Sequence, residues 1–241
     1  MKNYKNLFAI ALLAGATLTT SSCSDDWADL NSNPSAVTTG TPEYLLGQAI
    51  LEFDPSSYTY WFFNAKNFGY CLQTAIPSGS VTEDVVEGSQ QQGFKNINVQ
   101  NYVYLLKNEL SKFDEEKAAT YQQYEAILNV LSTYLGIYDT DFCGDIPYTE
   151  ASQARFGGTL TPKYDKVADL YDLFLADLDN DIKVFTTAQN QARLTSQDVI
   201  YGGDMTKWAK LANSLKLKIA ARLIHQNFEK AKQIVAQVKS A

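Results

Sequence analysis

The chain has 241 residues, of which 45% are hydrophobic and 20% charged, and its formal net charge is −7. That length and apolar content suffice for a sizeable core and exclude a disordered tail. The acidic balance excludes a nucleic-acid partner: backbone binding needs clustered Lys and Arg, whereas Lys207, Lys210, Lys216 and Lys218 are spread around one helical segment.

At the N-terminus, Lys2 and Lys5 precede an apolar run from Leu7 to Leu18, and small residues lead on to Cys23. This is the order of a secretory signal, assigned to residues 1–22, and the run is too short for a comfortable membrane span. Without Lys2 and Lys5 the chain carries 18 basic and 27 acidic residues, a formal charge of −9. Thr20-Ser-Ser-Cys23 resembles a bacterial lipobox, with Thr20 where Leu is usual, and Ser24-Asp25-Asp26 is similar to the acidic export tag of Bacteroidetes surface lipoproteins. The resemblance implies lipidation at Cys23, where several acyl chains give stable anchoring. Residues 23–40, rich in Asp, Asn, Ser, Pro and Thr, read as a linker.

A helical domain is expected over 41–241. Thr41 and Pro42 open a helix that runs to about Phe53, with Pro42 at the position where its missing N–H costs nothing. Asp54-Pro-Ser-Ser57 breaks it; Tyr58 to Ile76 is a second apolar segment, and Pro77 to Gln92 a long loop. Phe94 to Phe113 follows in helical phase. After Lys117 the pattern is clearest: Tyr124, Leu128, Leu131, Leu135 and Tyr138 form one stripe, and Ile127, Val130, Tyr134 and Ile137 a second, so this helix packs on two sides.

Asp139 to Ala151 carries too much Gly, Pro and Asp for helix or strand and reads as a loop running on to Asp165. Asp165 then reads as N-cap of a helix from Lys166 to Val184, with Val167, Leu170, Phe174 and Leu178 inward and Asp169, Asp172, Asp177 and Asp179 toward solvent. Asp204 caps a helix carrying Trp208, Leu211, Leu215, Ile219 and Leu223 inward, and Phe228, Ala231, Ile234, Val235 and Val238 mark a final amphipathic helix. The best strand candidate, Val81 to Val86, is poor, so the expected class is all-α, an array of stacked helix pairs.

Two motifs carry a family resemblance. Gly144-Asp-Ile-Pro-Tyr-Thr-Glu-Ala151 resembles the G-D-[IV]-P-[YF]-x-E-A signature of SusD/RagB-type outer-membrane lipoproteins. Asp198-Val-Ile-Tyr-Gly-Gly-Asp204, with Lys207-Trp208 and Leu211-Ala-Asn-Ser-Leu215 following, resembles a second block of the same family. The resemblance implies a tetratricopeptide-like helical array and a nutrient-binding role, for glycans or in some members peptides. It also implies a partner, a TonB-dependent outer-membrane transporter of SusC type, on which such proteins act as an extracellular lid. Members run to about twice this length, so the chain is expected to represent their N-terminal half, the transporter-facing side. The 34-residue tetratricopeptide consensus is not legible.

Gly144, Asp145, Pro147, Tyr148, Glu150, Trp208 and Asn213 are therefore expected to be structural signature residues, with Asp145 and Glu150 accepting backbone N–H bonds. An EF-hand reading that starts at Asp139 places Cys143 where a hard cation wants oxygen and Pro147 where it stiffens a ligand position, so no metal is expected. No carboxylate pair stands out among 27 acids, and His225, the only histidine, reads as a helix C-terminal residue. With no nucleophile, zinc or phosphate-loop motif present, neither catalytic residues nor a cofactor are expected. Cys71 and Cys143 could form one disulfide in an oxidising compartment, but in a chain large enough to need no staple they read as free, buried thiols. Tyr58, Tyr60 and Trp61, in the densest aromatic cluster, are ligand-binding candidates because sugar rings stack on exposed aromatics, although aromatics at helical spacing more often pack a core. A helical scaffold that binds only protein, and a surface glycoside hydrolase, are the competing functions.

Overall fold

The computed structural model describes residues 40–53 and 94–240. The signal segment, Cys23, the linker up to Thr39, Tyr58, Tyr60 and Trp61, Cys71 and the Val81–Val86 segment lie outside the described residues.

Apolar periodicity of 3.6 is expressed as seven α-helices among the described residues: α1 (Pro42–Phe53), α2 (Asn96–Leu110), α3 (Glu115–Ala119), α4 (Gln122–Cys143), α5 (Val167–Thr187), α6 (Met205–Leu223) and α7 (Phe228–Ser240). Among these residues there is no strand, only an isolated antiparallel bridge between Ile146 and Asp165. The fold is all-α. Apart from the short α3, each helix packs on its neighbour in sequence, and α4 also touches α1 and α6. Such nearest-neighbour stacking lets an interior helix bury two stripes.

The central α4 shows this most fully. Tyr124, Leu128, Leu131 and Leu135 are buried on one side and Ile127, Val130 and Ile137 on the other, while Tyr134 and Tyr138 are half-buried. Gly136 faces the rings of Phe174 on α5 and Tyr148 in the signature loop. A Cβ there would lie 2.7 Å from Phe174 Cζ and 3.0 Å from Tyr148 Cε2, so any larger residue would push the signature loop and α5 away.

Three ion pairs join the later helices: Arg222 of α6 to Asp141 of α4, Lys216 of α6 to Asp179 of α5, and Lys230 of α7 to Asp172 of α5. Lys216 buries its stem and delivers only its ammonium to the exposed Asp179. In α7 only Ala231 and Ile234 are buried; Phe228 and Val235 are 61% and 47% exposed, so this helix presents more apolar surface than its described neighbours cover.

Two expectations are corrected. The helix before the signature extends to Cys143 rather than ending at Asp139, because the carboxylates that made the stretch look loop-like find partners along the helix side. Asp139 accepts from Lys95 and Asn96 N–H, and Asp141 pairs with Arg222. This also removes the EF-hand geometry, since its first positions are helical. Cys143 carries a free thiol that is exposed, not buried, because it is the last residue of α4.

Candidate functional site

The chain reverses at the end of α4 through Gly144, whose φ of 72° and ψ of −121° are open only to glycine. From there Asp145 reaches across to α5. Its carboxylate accepts from Val167 N–H at 3.1 Å and Lys166 Nζ at 2.5 Å, and so caps that helix from a distant segment. The Lys166 ammonium, with the Val167 N–H, holds the Asp145 carboxyl below the usual range.

Asp165 is thereby displaced from the capping role expected of it. Lys166 occupies the N-cap position without a side-chain cap, and the Asp165 carboxylate turns back to accept from Tyr148 N–H at 3.1 Å, Thr149 N–H at 2.7 Å and Thr149 Oγ1 at 2.8 Å. The Asp165 backbone meanwhile pairs with Ile146 in both directions. Pro147 and Tyr148 are buried, and their carbonyls accept from Asn96 Nδ2 and Gln100 Nε2 of α2. The Tyr148 ring stands edge-on to Phe174 at 4.9 Å, its hydroxyl lies 3.0 Å from Ser132 Oγ, and burial raises its pKa strongly. Glu150 accepts from Lys163 N–H at 3.1 Å.

The same device recurs before α6. Asp198, 1% exposed, accepts from Ile200, Tyr201 and Gly203 N–H and from Trp208 Nε1, at 2.7–3.0 Å. Gly202 and Gly203 have φ of 64° and 83°, and a Cβ on Gly203 would fall 2.2 Å from Leu194 O. Asp204 caps α6 through Thr206 and Lys207 N–H. Trp208 is fully buried with Tyr201 edge-on at 5.0 Å, and Asn213 is half-buried, its Oδ1 lacking a hydrogen-bond partner. Asp145, Pro147, Tyr148, Glu150 and Trp208 thus each have a polar or ring contact inside the chain, and among the described residues neither block lines the cavity of the helix stack.

Residues elsewhere do. A polar cavity of about 570 Å³ opens between α2, the first half of α4 and the second half of α5. Lys107, Glu125, Asn129, Asp177, Asn180 and Asp181 supply its chemistry. Asp181 is 3% exposed and accepts from Asn129 Nδ2 at 2.9 Å. Burial pushes its carboxyl up to about 8, the Asn129 bond and the positive charge of Lys107 opposing and the nearby Asp177 adding. Burial also raises Glu125 and Asp177, with Lys107 opposing. Asp177, expected in solvent, is instead half-buried in this wall.

No motif marks these residues. The available signal was pairwise: Glu125 and Asn129 on α4, and Asp177 and Asp181 on α5, each lie four apart and share a helix face. That the two faces meet is a matter of packing. His225 is exposed just beyond α6 and belongs to neither region. Among the described residues no group of His, Cys, Asp and Glu is arranged to hold a metal ion, and no helix is long and apolar enough to cross a membrane.

Comparison with solved structures places the helix stack among SusD homologues. A chitin-binding protein superposes with a TM-score of 0.66 at 22% identity, covering 83% of this chain and 43% of its own. A Bacteroidetes SusD-like protein gives 0.58 at 25% identity, over 83% and 37%. A SusD-like protein of Bacteroides thetaiotaomicron gives 0.62 at 20% identity, over 82% and 41%. The chain thus spans less than half the length of these relatives. No curated protein matches it. The SusD-like family model, described as starch-binding and associating with the outer membrane, matches residues 34–241. With that match over most of its length and the helical fold of the SusD homologues, the chain belongs to the SusD-like family.

Proposed function

We propose that this protein is a cell-surface nutrient-binding lipoprotein that takes up glycans, held in the outer membrane by acylated Cys23 and acting as the extracellular lid of a SusC-like, TonB-dependent transporter. The observation that carries the reading is the family match over residues 34–241, with its starch-binding, outer-membrane description. The chitin-binding relative supports a carbohydrate ligand. Tyr58, Tyr60 and Trp61 are proposed as the stacking platform for sugar faces.

Cys23→Ala should move the protein from the membrane fraction to the soluble fraction, since the anchor is the acyl group; unchanged membrane retention would overturn the anchoring. For the ligand, calorimetry of residues 23–241 against starch and chitin oligosaccharides should show binding that is lost in Trp61→Ala. Co-purification with a SusC-like transporter tests the lid role.

A further inference from the structure

The cavity between α2, α4 and α5 lies roughly 20–30 Å along α4 from the signature loop, and neither family block contributes to its described lining. Its volume of about 570 Å³ falls in the range of roughly 300–1,000 Å³ typical of small-molecule sites. Three acids open into it. Among the described residues Asp181 receives a single hydrogen bond, from the neutral amide of Asn129, and no cation lies within 4 Å of Asp181, Asp177 or Glu125. Asp198, equally buried, has four donors.

A buried carboxyl with one neutral donor is a local defect unless it keeps a proton or meets a cation. One proton on Asp181 does not relieve Asp177 and Glu125, which face the same space and accept no side-chain or capping bond among the described residues. Lys107 acts on all three only from a distance, without forming an ion pair; amides at these positions would serve the fold at least as well, and a rule broken without a direct compensating contact is what a binding site leaves behind. No aromatic side chain is among the described lining residues, so the cavity is not a stacking platform for neutral sugar faces. It offers instead carboxylate oxygens with the amides of Asn129 and Asn180. That is an acceptor set matched to the three N–H donors of an ammonium group. Lys107 and Lys183, both exposed, stand at its rim, where they favour acceptor groups elsewhere on the same ligand.

We propose that this cavity is a binding site for a small ligand entering with a protonated primary amine, received by Asp181, Asp177 and Glu125. Amino sugars and lysine side chains both supply that group.

The test is calorimetry of residues 23–241 with a glucosamine disaccharide and with the tripeptide Gly-Lys-Gly, each beside its N-acetylated counterpart. The acetylated glucosamine disaccharide is itself a chitin oligosaccharide, so these amine measurements are made in the Trp61→Ala background that removes the proposed stacking platform, and the glycan reading and this site can each fail alone. At least one amine should bind at least tenfold more tightly than its acetylated form, and the one that does identifies the source. Asp177→Asn and Glu125→Gln should each weaken that binding at least tenfold while leaving the helical circular dichroism unchanged, because the amides keep the shape and remove the charge; Asp181→Asn should do the same, because its amide has no proton to give up when the ammonium enters. The site would be overturned by no binding of either amine at millimolar concentration, by equal affinity for the acetylated forms, or by amide variants that bind like the parent.

Discussion

Asp198 and Asp181 are both nearly inaccessible, at 1% and 3% exposure, yet they stand in opposite electrostatic situations. Asp198 lies in a loop that wraps it with three backbone N–H groups and an indole N–H, so its charge organises the chain around it. Asp181 lies on a helix whose own N–H groups are already used by the i−4 carbonyls, and it receives one amide from the neighbouring helix. The lesson is that burial alone does not make a carboxylate structural; the number of donors the local backbone can spare does.

Breaking the satisfied side should give the largest effect. Asp198→Ala would leave the N–H groups of Ile200, Tyr201 and Gly203 and the Trp208 indole without their acceptor, and should destabilise by roughly 4–5 kcal/mol by chemical denaturation. If the loss is under about 1 kcal/mol, the loop holds itself without the carboxylate.

The glycines of the two loops sharpen the same point. Gly203→Ala combines a left-handed φ with a Cβ 2.2 Å from Leu194 O, and should lose about 3–5 kcal/mol. Gly144→Ala meets no atom within 4 Å and bears backbone strain alone, about 1–3 kcal/mol. Equal losses would mean that the 194–203 loop yields to the added methyl.

On the unsatisfied side the sign should reverse. Asp181 in the fold keeps its proton up to about pH 8, whereas in the unfolded chain it releases it near pH 4. The folded state therefore binds more protons between those values, and the contribution, fully present below about pH 4, is lost as pH rises through about 8. Asp181→Asn stays neutral throughout. It should match the parent at pH 4 and melt above it at pH 8–9, by about 1–2 kcal/mol or roughly 2–8 °C. A parent and variant that keep the same gap at both pH values would show that Asp181 is charged or solvated in the same way in both states.

The smallest effect should come from Asp145→Ala, which removes the cap on α5 at a half-exposed site. Its Tm should fall slightly at neutral pH. Because Lys166 and the Val167 N–H hold the Asp145 pKa below the ordinary value, its contribution is present above pH 4 and disappears as the pH falls through the depressed value. Parent and variant melting curves should therefore converge in acid.

The helices were legible in the residues because each apolar stripe has a period that only a helix satisfies: the two stripes of α4 are buried much as their spacing implied. The α6 cap was legible too, because Asp204 acts on its own next turn. What failed were the partnerships between distant segments. Asp165 reads as the α5 cap from its position, yet Asp145, some twenty residues earlier, holds Val167 N–H, and Asp139 caps α2 from more than forty residues away. The cavity was illegible for the same reason. Glu125 and Asn129 announce one helix face and Asp177 and Asp181 another, but nothing local says that the two are set side by side. Sequence by itself determined the helical elements, their stripes and the family to which the two motifs point, since these depend on residues within a turn or two or on contiguous runs. Tertiary packing alone decided which carboxylates meet donors and which meet an empty space, because that depends on the register in which α2, α4 and α5 settle against one another.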